Sequence, residues 1–381
     1  MIHLPERFDD IRPYYDSEVP MAMQRIADDP LLPRVLQYLG WEDRLREIRE
    51  LLPAIRTTEE LQGTVMLPIC RKIVSKTIGR FTYDGVDAAC PGRGRLFVSN
   101  HRDIVMDAYL LQLVLLENGI PTNHITFGSN LMNPQIVVDI GLSNKMFKTV
   151  RKSAHFQSFM ESSIHLSDYI NYVTAHGESV WIAQRNGRTK DGFDKTEPGL
   201  LRMLLLGTDK RKSLENLNIT PVAVSYQWEP CDFLKALELY RSRDGRAYVK
   251  KEGEDLNSIR TGITSPKGNV HISICRPVEL DRYSEHITRT EMNLIVKEID
   301  DKILSHYKLW DTNYIAYDIL HGTDAHGDLY SEAARQAFVE RLERAVDDAD
   351  VDDKGLFREL FLKIYAGPVI SADACSRVTA P

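Results

Sequence analysis

The sequence is poor in the features that mark several large classes of protein. Its 381 residues include only five cysteines, an odd number, and none of them forms a C-x-x-C pair or has a histidine at a metal-site interval. We therefore predict reduced thiols that pack as small apolar side chains, a cytoplasmic protein and no metal site.

Long apolar runs and an excess of basic residues are also lacking. No apolar run approaches the roughly 18 residues of a membrane-spanning helix, and residues 1–6 lack the basic and apolar regions of a secretion signal. Lys and Arg total 48 against 55 Asp and Glu, a formal net charge of -7, so we expect no nucleic-acid partner. The composition, with 43% hydrophobic and 27% charged residues, is typical of a soluble globular protein with one large domain or two domains.

Apolar periodicity divides the chain into regions. Apolar residues in the first 78 positions recur at helical spacing. One apolar stripe there predicts a packed helical bundle rather than a bilayer contact, because the polar face of the same helix is not notably basic. The stripe consists of Leu31, Leu32, Val35, Leu36 and Leu39. Short β-rich runs then alternate with helices, which is typical of an α/β layered core. We predict a helical N-terminal region at 1–78, an α/β domain at 79–290, C-terminal helices at 291–366 and a loose tail at 367–381.

The first motif lies where a predicted strand meets a predicted helix, at residues 98–107, Val-Ser-Asn-His-Arg-Asp-Ile-Val-Met-Asp. In α/β proteins, ligands bind where the carboxyl end of a strand meets a helix N-terminus. His101 could act there as a general base, with a carboxylate that fixes its tautomer and stabilises the imidazolium. Asp103 and Asp107 are both candidates for that carboxylate. The alternative is a surface histidine beside two helix-capping aspartates.

A second motif is basic. Residues 147–152, Phe-Lys-Thr-Val-Arg-Lys, follow residues 128–131, Gly-Ser-Asn-Leu, and Pro134. Three cations on a strand or at its end suit a phosphate or another anion, since Arg offers a planar fork and Lys a point charge. The alternative is a solvated basic face.

A third motif, at residues 181–192, is an apolar strand that enters a turn containing Arg185, Gly187, Arg188 and Lys190. Glycine permits a backbone with positive φ and exposes amide N–H groups, so the turn could hold an anion. The alternative is an ordinary polar turn. A fourth segment, residues 219–226, is an apolar strand that by itself indicates only core.

The four segments in this order resemble the four sequence blocks of the glycerolipid acyltransferase superfamily, which includes glycerol-3-phosphate and lysophosphatidic acid acyltransferases. Asn100, His101 and Asp107 resemble the first block, and residues 128–131 with 147–152 resemble the second, which points to the glycerol-3-phosphate branch. Residues 184–192 and 219–226 resemble the third and fourth. The similarity covers residues 80–278.

Two departures from the family pattern affect the site. Five residues separate His101 from Asp107 where the family has four, an insertion that a loop before the helix would absorb; otherwise Asp103 is the candidate orienter. The acidic residue of the third block is missing, and its place falls on Arg185 or Asn186.

The resemblance implies an α/β fold with a mixed central sheet flanked by helices, and no metal or prosthetic group. It implies transfer of a fatty acyl group from acyl-CoA or acyl carrier protein to a hydroxyl of a phosphorylated glycerol acceptor in phospholipid synthesis. His101 would be the base, oriented by Asp107 or Asp103. The substrate-binding residues would be Asn130, Arg151, Lys152, Arg185, Gly187, Arg188 and Lys190.

Two alternatives to this function remain open. The acceptor could be another lyso-lipid, such as lysophosphatidic acid or an amino-acid lipid, or the protein could be a non-catalytic relative that binds lipid or acyl carrier protein. We expect a cytoplasmic location, with any membrane contact peripheral and on the cytoplasmic face.

Overall fold

The computed structural model describes residues 2–90, 92–149, 156–206, 209–243, 248–251 and 253–379, apart from the side chains of Asn130, Phe156 and residues 375–379. The strands are β1 (Ile78–Asp84), β2 (Leu96–Ser99), β3 (His124–Gly128), β4 (Met146–Thr149), β5 (Val180–Ala183), β6 (Thr220–Tyr226) and β7 (Gly268–Ile274). The helices before β5 are α1 (Val19–Asp28), α2 (Leu32–Tyr38), α3 (Leu45–Leu51), α4 (Thr58–Leu61), α5 (Leu67–Thr77), α6 (Met106–Glu117), α7 (Gln135–Ser143) and α8 (Phe156–Ala175). Those after it are α9 (Pro198–Leu204), α10 (Lys210–Leu217), α11 (Asp232–Arg241), α12 (Glu254–Thr264), α13 (Arg289–His306), α14 (Asp311–His321), α15 (Glu332–Asp348) and α16 (Lys354–Thr379).

The strands form one mixed sheet in the order β1-β7-β6-β2-β5-β3-β4. β6 and β7 are antiparallel, and every other neighbouring pair is parallel. The predicted α/β fold with a mixed central sheet flanked by helices is confirmed. Because β2, β3, β4, β5 and β6 run in one direction, the described parts of the four motifs lie at or lead to a single edge of the sheet.

Helices cover both faces of the sheet because its central strands are apolar on both sides. In β2, Phe97 faces a core shared with α1 to α6, while Leu96 and Val98 face a second core shared with α8, α9, α10 and α13. A third core joins α11 to α14, α15 and α16. The N-terminal helices therefore pack directly against the sheet.

The C-terminal end differs from the predicted loose tail at 367–381. Over the described residues this segment is the second half of α16, which continues through Pro368 to Thr379. Tertiary packing overrides the helix-breaking pair of glycine and proline, since Ala366 and Val369 are buried. A Cβ on Gly367 would lie 2.6 Å from the backbone of Gly192, so glycine here allows close approach. The four-part division of the chain stays a prediction.

No helix within the described residues combines the length and the apolar character needed to cross a membrane.

Candidate active site

A loop between β2 and α6 carries His101 to the edge of the sheet where the parallel strands end. Asp103 stabilises the end of this loop, because its Oδ1 accepts hydrogen bonds from the backbone N–H groups of Val105, at 2.9 Å, and Met106, at 2.8 Å. Asp107 lies in the first turn of α6. The loop therefore absorbs the extra residue between His101 and Asp107.

His101 and Asp107 form a buried pair. His101 Nδ1 lies 2.9 Å from Asp107 Oδ2, which also accepts the backbone N–H groups of Arg102, at 2.7 Å, and Asp103, at 2.9 Å. Both side chains are buried, at 7% and 0% exposure. Of the two candidate carboxylates, the structure therefore places Asp107 against the imidazole ring.

The partners of Asp107 determine the tautomer of His101. Tyr226 donates its hydroxyl to Asp107 Oδ1 at 2.8 Å. Burial, with the charge of Asp107 close by, raises the pKa of Tyr226 well above its usual range, so the hydroxyl keeps its proton. Asp107 acts as an acceptor in each of these bonds, and His101 must donate from Nδ1. This leaves an acceptor lone pair on Nε2, which has no hydrogen-bond partner among the described residues.

A buried ion cluster holds the loop that carries His101. The Arg102 guanidinium, 1% exposed, pairs with Asp194 at 2.7 Å and Glu229 at 3.3 Å. Lys235 pairs with Glu229 and donates to the carbonyl of Arg102 at 2.6 Å. Two cations thus meet two carboxylates, which is the condition for tolerating buried charge. The cluster ties together the segments that follow β2, β5 and β6.

Asn100 ties this loop to β6. Its side chain accepts from the N–H of Val224 at 2.8 Å and donates to the carbonyl of the same residue at 3.0 Å. It also donates to Asp194 at 3.0 Å. The sequence motif included Asn100 without a role, and no sequence signal connected Asp194 or Glu229 to His101. Tyr226 ends the fourth segment, which by itself indicated only core.

The third motif forms the predicted turn after β5, with Gly187 at φ +80°. Arg188 donates from Nη2 to Ser258 Oγ at 3.2 Å, while its buried Nη1 and the buried Nε of Arg185 have no hydrogen-bond partner in the described part of the chain. Lys190 forms an ion pair with Glu238. Arg185 and Arg188 therefore retain donors for a ligand, whereas a carboxylate already balances the charge of Lys190.

The second motif is only partly described. β4 ends at Thr149, and the predicted residues Arg151 and Lys152 lie outside the described residues. Asn130 lies in a short 3-10 helix after β3, Ser129–Leu131, but its side chain is not among those described.

A large apolar cavity joins these motifs to the N-terminal helices. Its volume is about 1250 Å³, and His101, Arg185, Gly187, Arg188 and Lys190 all line it. Apolar side chains from α1 to α6 form much of the remaining wall, including Leu32, Val35, Leu36 and Leu39 of the predicted stripe. The stripe therefore faces the interior, apart from Leu31, which is 36% exposed. The Trp181 ring stands edge-on to His101, with 5.9 Å between the ring centres.

Metal ligands do not cluster in the described residues, where no three His, Cys, Asp or Glu side chains could hold an ion together. The absence of a metal and of a prosthetic group stays a prediction.

The fold and the site together define an α/β protein with a histidine–aspartate pair at the edge of a mixed sheet, beside an apolar cavity. A similar solved structure is the crystal structure of the 1-acyl-sn-glycerophosphate (LPA) acyltransferase, PlsC, from Thermotoga maritima. The match has 14% sequence identity and a TM-score of 0.36, and it covers 76% of this chain and 96% of that chain. Neither a protein-family model nor a curated protein sequence matches the chain. We therefore argue the function from the geometry of the site.

Proposed function

We propose that this protein is an O-acyltransferase that moves a fatty acyl group from acyl-CoA or acyl carrier protein to a hydroxyl of a phosphorylated glycerol acceptor. One observation carries the proposal: His101 is oriented by Asp107, has an unpartnered Nε2 and lines a large apolar cavity. A general base beside an apolar cavity fits a reaction between a polar hydroxyl and a fatty acyl group.

The cavity suits the acyl chain. Pockets for small molecules usually measure roughly 300–1,000 Å³, and this one reaches about 1250 Å³. Each methylene group buried from water contributes about 0.8 kcal/mol, so an apolar wall of this extent favours a long hydrocarbon chain over a short one. Walls from α1, α2 and α5 support an acyl-binding role for the N-terminal helices.

The cations of the third motif suit the acceptor phosphate. Arg185 and Arg188 line the same cavity as His101 and retain unpartnered guanidinium donors. Guanidinium groups bind phosphate through charge-assisted hydrogen bonds. We assign Gly187 a backbone contact and Lys190 a lesser part, because Glu238 already pairs with it. The resemblance in sequence adds Asn130, Arg151 and Lys152 to the proposed binding residues.

The proposed reaction needs no covalent enzyme intermediate. His101 Nε2 takes the proton of the acceptor hydroxyl as the oxygen attacks the thioester carbonyl. The carbon–sulfur bond then breaks, an ester forms, and the imidazolium returns the proton to the departing thiolate, which leaves as a free thiol. Asp107 stabilises the imidazolium between these two steps.

Thiol release and ester formation test the proposal. Purified protein is mixed with acyl-CoA or acyl carrier protein and with glycerol-3-phosphate, its 1-acyl product or a lyso-aminolipid. We expect free thiol and ester in equal amounts with a phosphorylated acceptor. His101→Ala should reduce turnover by about 10²- to 10⁴-fold, because the base is lost. The matched control is His286→Ala, an exposed histidine outside the cavity lining, which should retain full turnover.

Each of three other outcomes would contradict a different part of the proposal. Full turnover by His101→Ala would exclude His101 as the base. Ester formation with the lyso-aminolipid alone would replace the phosphorylated acceptor. A wild-type protein that binds the thioesters but transfers no acyl group would be a non-catalytic binding relative.

A further inference from the structure

Tyr226 is a buried tyrosine at the end of the fourth segment, where the sequence indicates only core, and the proposed mechanism does not use it. It is the last residue of β6, 1% exposed, and its hydroxyl donates to Asp107 Oδ1 at 2.8 Å. β6 pairs with β2, whose end leads directly into the loop of His101. The sheet therefore brings a hydroxyl to the catalytic pair from 119 residues away in sequence.

The bond from Tyr226 fixes the rotation of the Asp107 carboxylate. Oδ2 is held by two backbone N–H groups of the loop, those of Arg102 and Asp103, and it receives His101 Nδ1. Oδ1 receives its described hydrogen bond from Tyr226. A carboxylate anchored at both oxygens cannot turn about its Cβ–Cγ bond, so an Oδ2 lone pair stays directed at His101.

The direction of this hydrogen bond is also fixed. Burial and the neighbouring carboxylates Asp107 and Asp103 raise the pKa of Tyr226 well above its usual range, so Tyr226 stays neutral and donates. A donor at Oδ1 also draws negative charge away from Oδ2, the oxygen that His101 contacts.

We propose that Tyr226 is a positioning residue that orients Asp107 and thereby holds His101 in the tautomer with its proton on Nδ1. The effect on turnover rests on the acyltransferase function proposed above. The effect on the His101 tautomer does not, because it follows from the hydrogen bonds alone.

Other titratable groups also face the pair, and the test leaves them unchanged. Asp103 lies in the same loop, and Glu229 and Tyr307 act on Tyr226 and Asp107 through charge. The cations that line the cavity beside His101 are Arg185, Arg188 and Lys190. A substitution confined to the Tyr226 hydroxyl removes one donor while these charges keep their places.

The test is Tyr226→Phe, which removes the hydroxyl and retains the ring. Without its donor at Oδ1, the Asp107 carboxylate is held at Oδ2 alone and can turn about its Cβ–Cγ bond, so the tautomer of His101 with the proton on Nε2 should appear. Histidine ¹⁵N chemical shifts distinguish the two tautomers, with the His101 signals assigned by their loss in His101→Gln. In the acyl transfer assay we expect kcat to fall about tenfold with KM little changed, because the base is misaligned.

The matched control is Tyr330→Phe. Tyr330 also donates to an aspartate, Asp318, at 2.9 Å, but it lies outside the cavity lining. The control should leave the His101 signals unchanged. A second variant carries 3-fluorotyrosine at position 226, a stronger donor to Asp107 Oδ1, which should keep the tautomer with the proton on Nδ1 and change the ¹⁵N shift of His101 Nδ1.

The outcomes separate this inference from the proposed function. Unchanged His101 ¹⁵N shifts in both Tyr226 variants would overturn the positioning role, even if turnover falls. If the wild type transfers no acyl group while the tautomer with the proton on Nε2 appears in Tyr226→Phe, the positioning role stands and the acyltransferase function fails. If Tyr226→Phe does not fold, the fluorotyrosine variant alone decides, since an unchanged ¹⁵N shift of His101 Nδ1 overturns the inference.

Discussion

At the scale of single residues, two aspartates of one loop have different tasks. Asp107 accepts from His101, Tyr226 and two backbone N–H groups. Asp103 uses Oδ1 to cap the start of α6, while its buried Oδ2 has no partner among the described residues. Asp107 thus takes part in the proposed chemistry, whereas Asp103 stabilises the conformation of the loop.

This difference predicts unequal losses of turnover for two matched amide substitutions. Asp107→Asn places an NH₂ group where an acceptor is needed and favours the wrong His101 tautomer, so turnover should fall by about 10³- to 10⁴-fold. Asp103→Asn keeps an oxygen that can cap α6, so turnover should change less than about tenfold. Both are measured by acyl transfer kinetics on variants whose thermal unfolding is checked. Equal losses would contradict the assignment.

The sequence located the proposed base but not its surroundings. The strand-to-helix junction predicted His101 with a nearby aspartate, yet it left Asp103 and Asp107 open because helical spacing does not apply inside a loop. Tyr226 and Asp194 reach the site through strand pairing and loop packing across 119 and 92 residues, respectively. Lys190 was predicted as a ligand for phosphate, but the fold gives it Glu238 as a partner.

At the scale of elements, short apolar runs predicted the strands well, while the sheet order depended on long-range pairing. β7 lies between β1 and β6 and runs antiparallel to β6, which no local pattern in residues 268–274 indicates. The end of α16 also shows that local sequence patterns are insufficient, here because they favour a break that the structure does not have. Its Gly367 and Pro368 locally favour a break, and contacts with the segment at Gly192 override that preference.

Helix α12 gives a test of packing against the proposed active-site loop. A Cβ on Gly262 would lie 2.0 Å from Asp103 Oδ2, whereas a Cβ on Gly199 of α9 would meet nothing within 4 Å. Gly262→Ala should therefore lower the free energy of unfolding by about 1–3 kcal/mol through overpacking. Gly199→Ala should raise it by about 0.4–1 kcal/mol, because the unfolded chain loses freedom. Urea unfolding measures both, and stabilisation by both substitutions would show that α12 can move away from Asp103 at little cost.

At the scale of the whole molecule, the cavity is unusual because protein interiors are normally close-packed. It lies between the N-terminal helices and the sheet, within the same core that holds Tyr226 and Trp181. A bound apolar chain would fill space that the protein leaves open, so the acyl donor and the N-terminal helices would stabilise each other.

A buried network outside the cavity lining is expected to contribute to the response of the fold to acid. His124, fully buried, accepts from the Tyr169 hydroxyl at 2.7 Å and donates to Glu178, which also receives the N–H of Ile2 at 2.7 Å. Burial lowers the pKa of His124, so the ring is neutral near pH 7. Burial opposes the charge on Glu178, but the hydrogen bonds from His124 and Ile2 outweigh it and lower its pKa to about 2.

Both shifts predict that the folded protein loses stability as the pH falls. His124 has a lowered folded pKa, so its contribution is complete above pH 6.5 and declines below it; that of Glu178 is complete above pH 4.5 and declines towards pH 2. Glu178→Gln should cost about 1–3 kcal/mol at pH 7, and its unfolding curve should approach that of the wild type as the pH falls from 4.5 towards 2. Urea unfolding across this range measures the effect, with the exposed Glu332→Gln as the control that should follow the wild type throughout. A constant gap between wild type and Glu178→Gln down to pH 2 would show that Glu178 does not stabilise the fold through its charge.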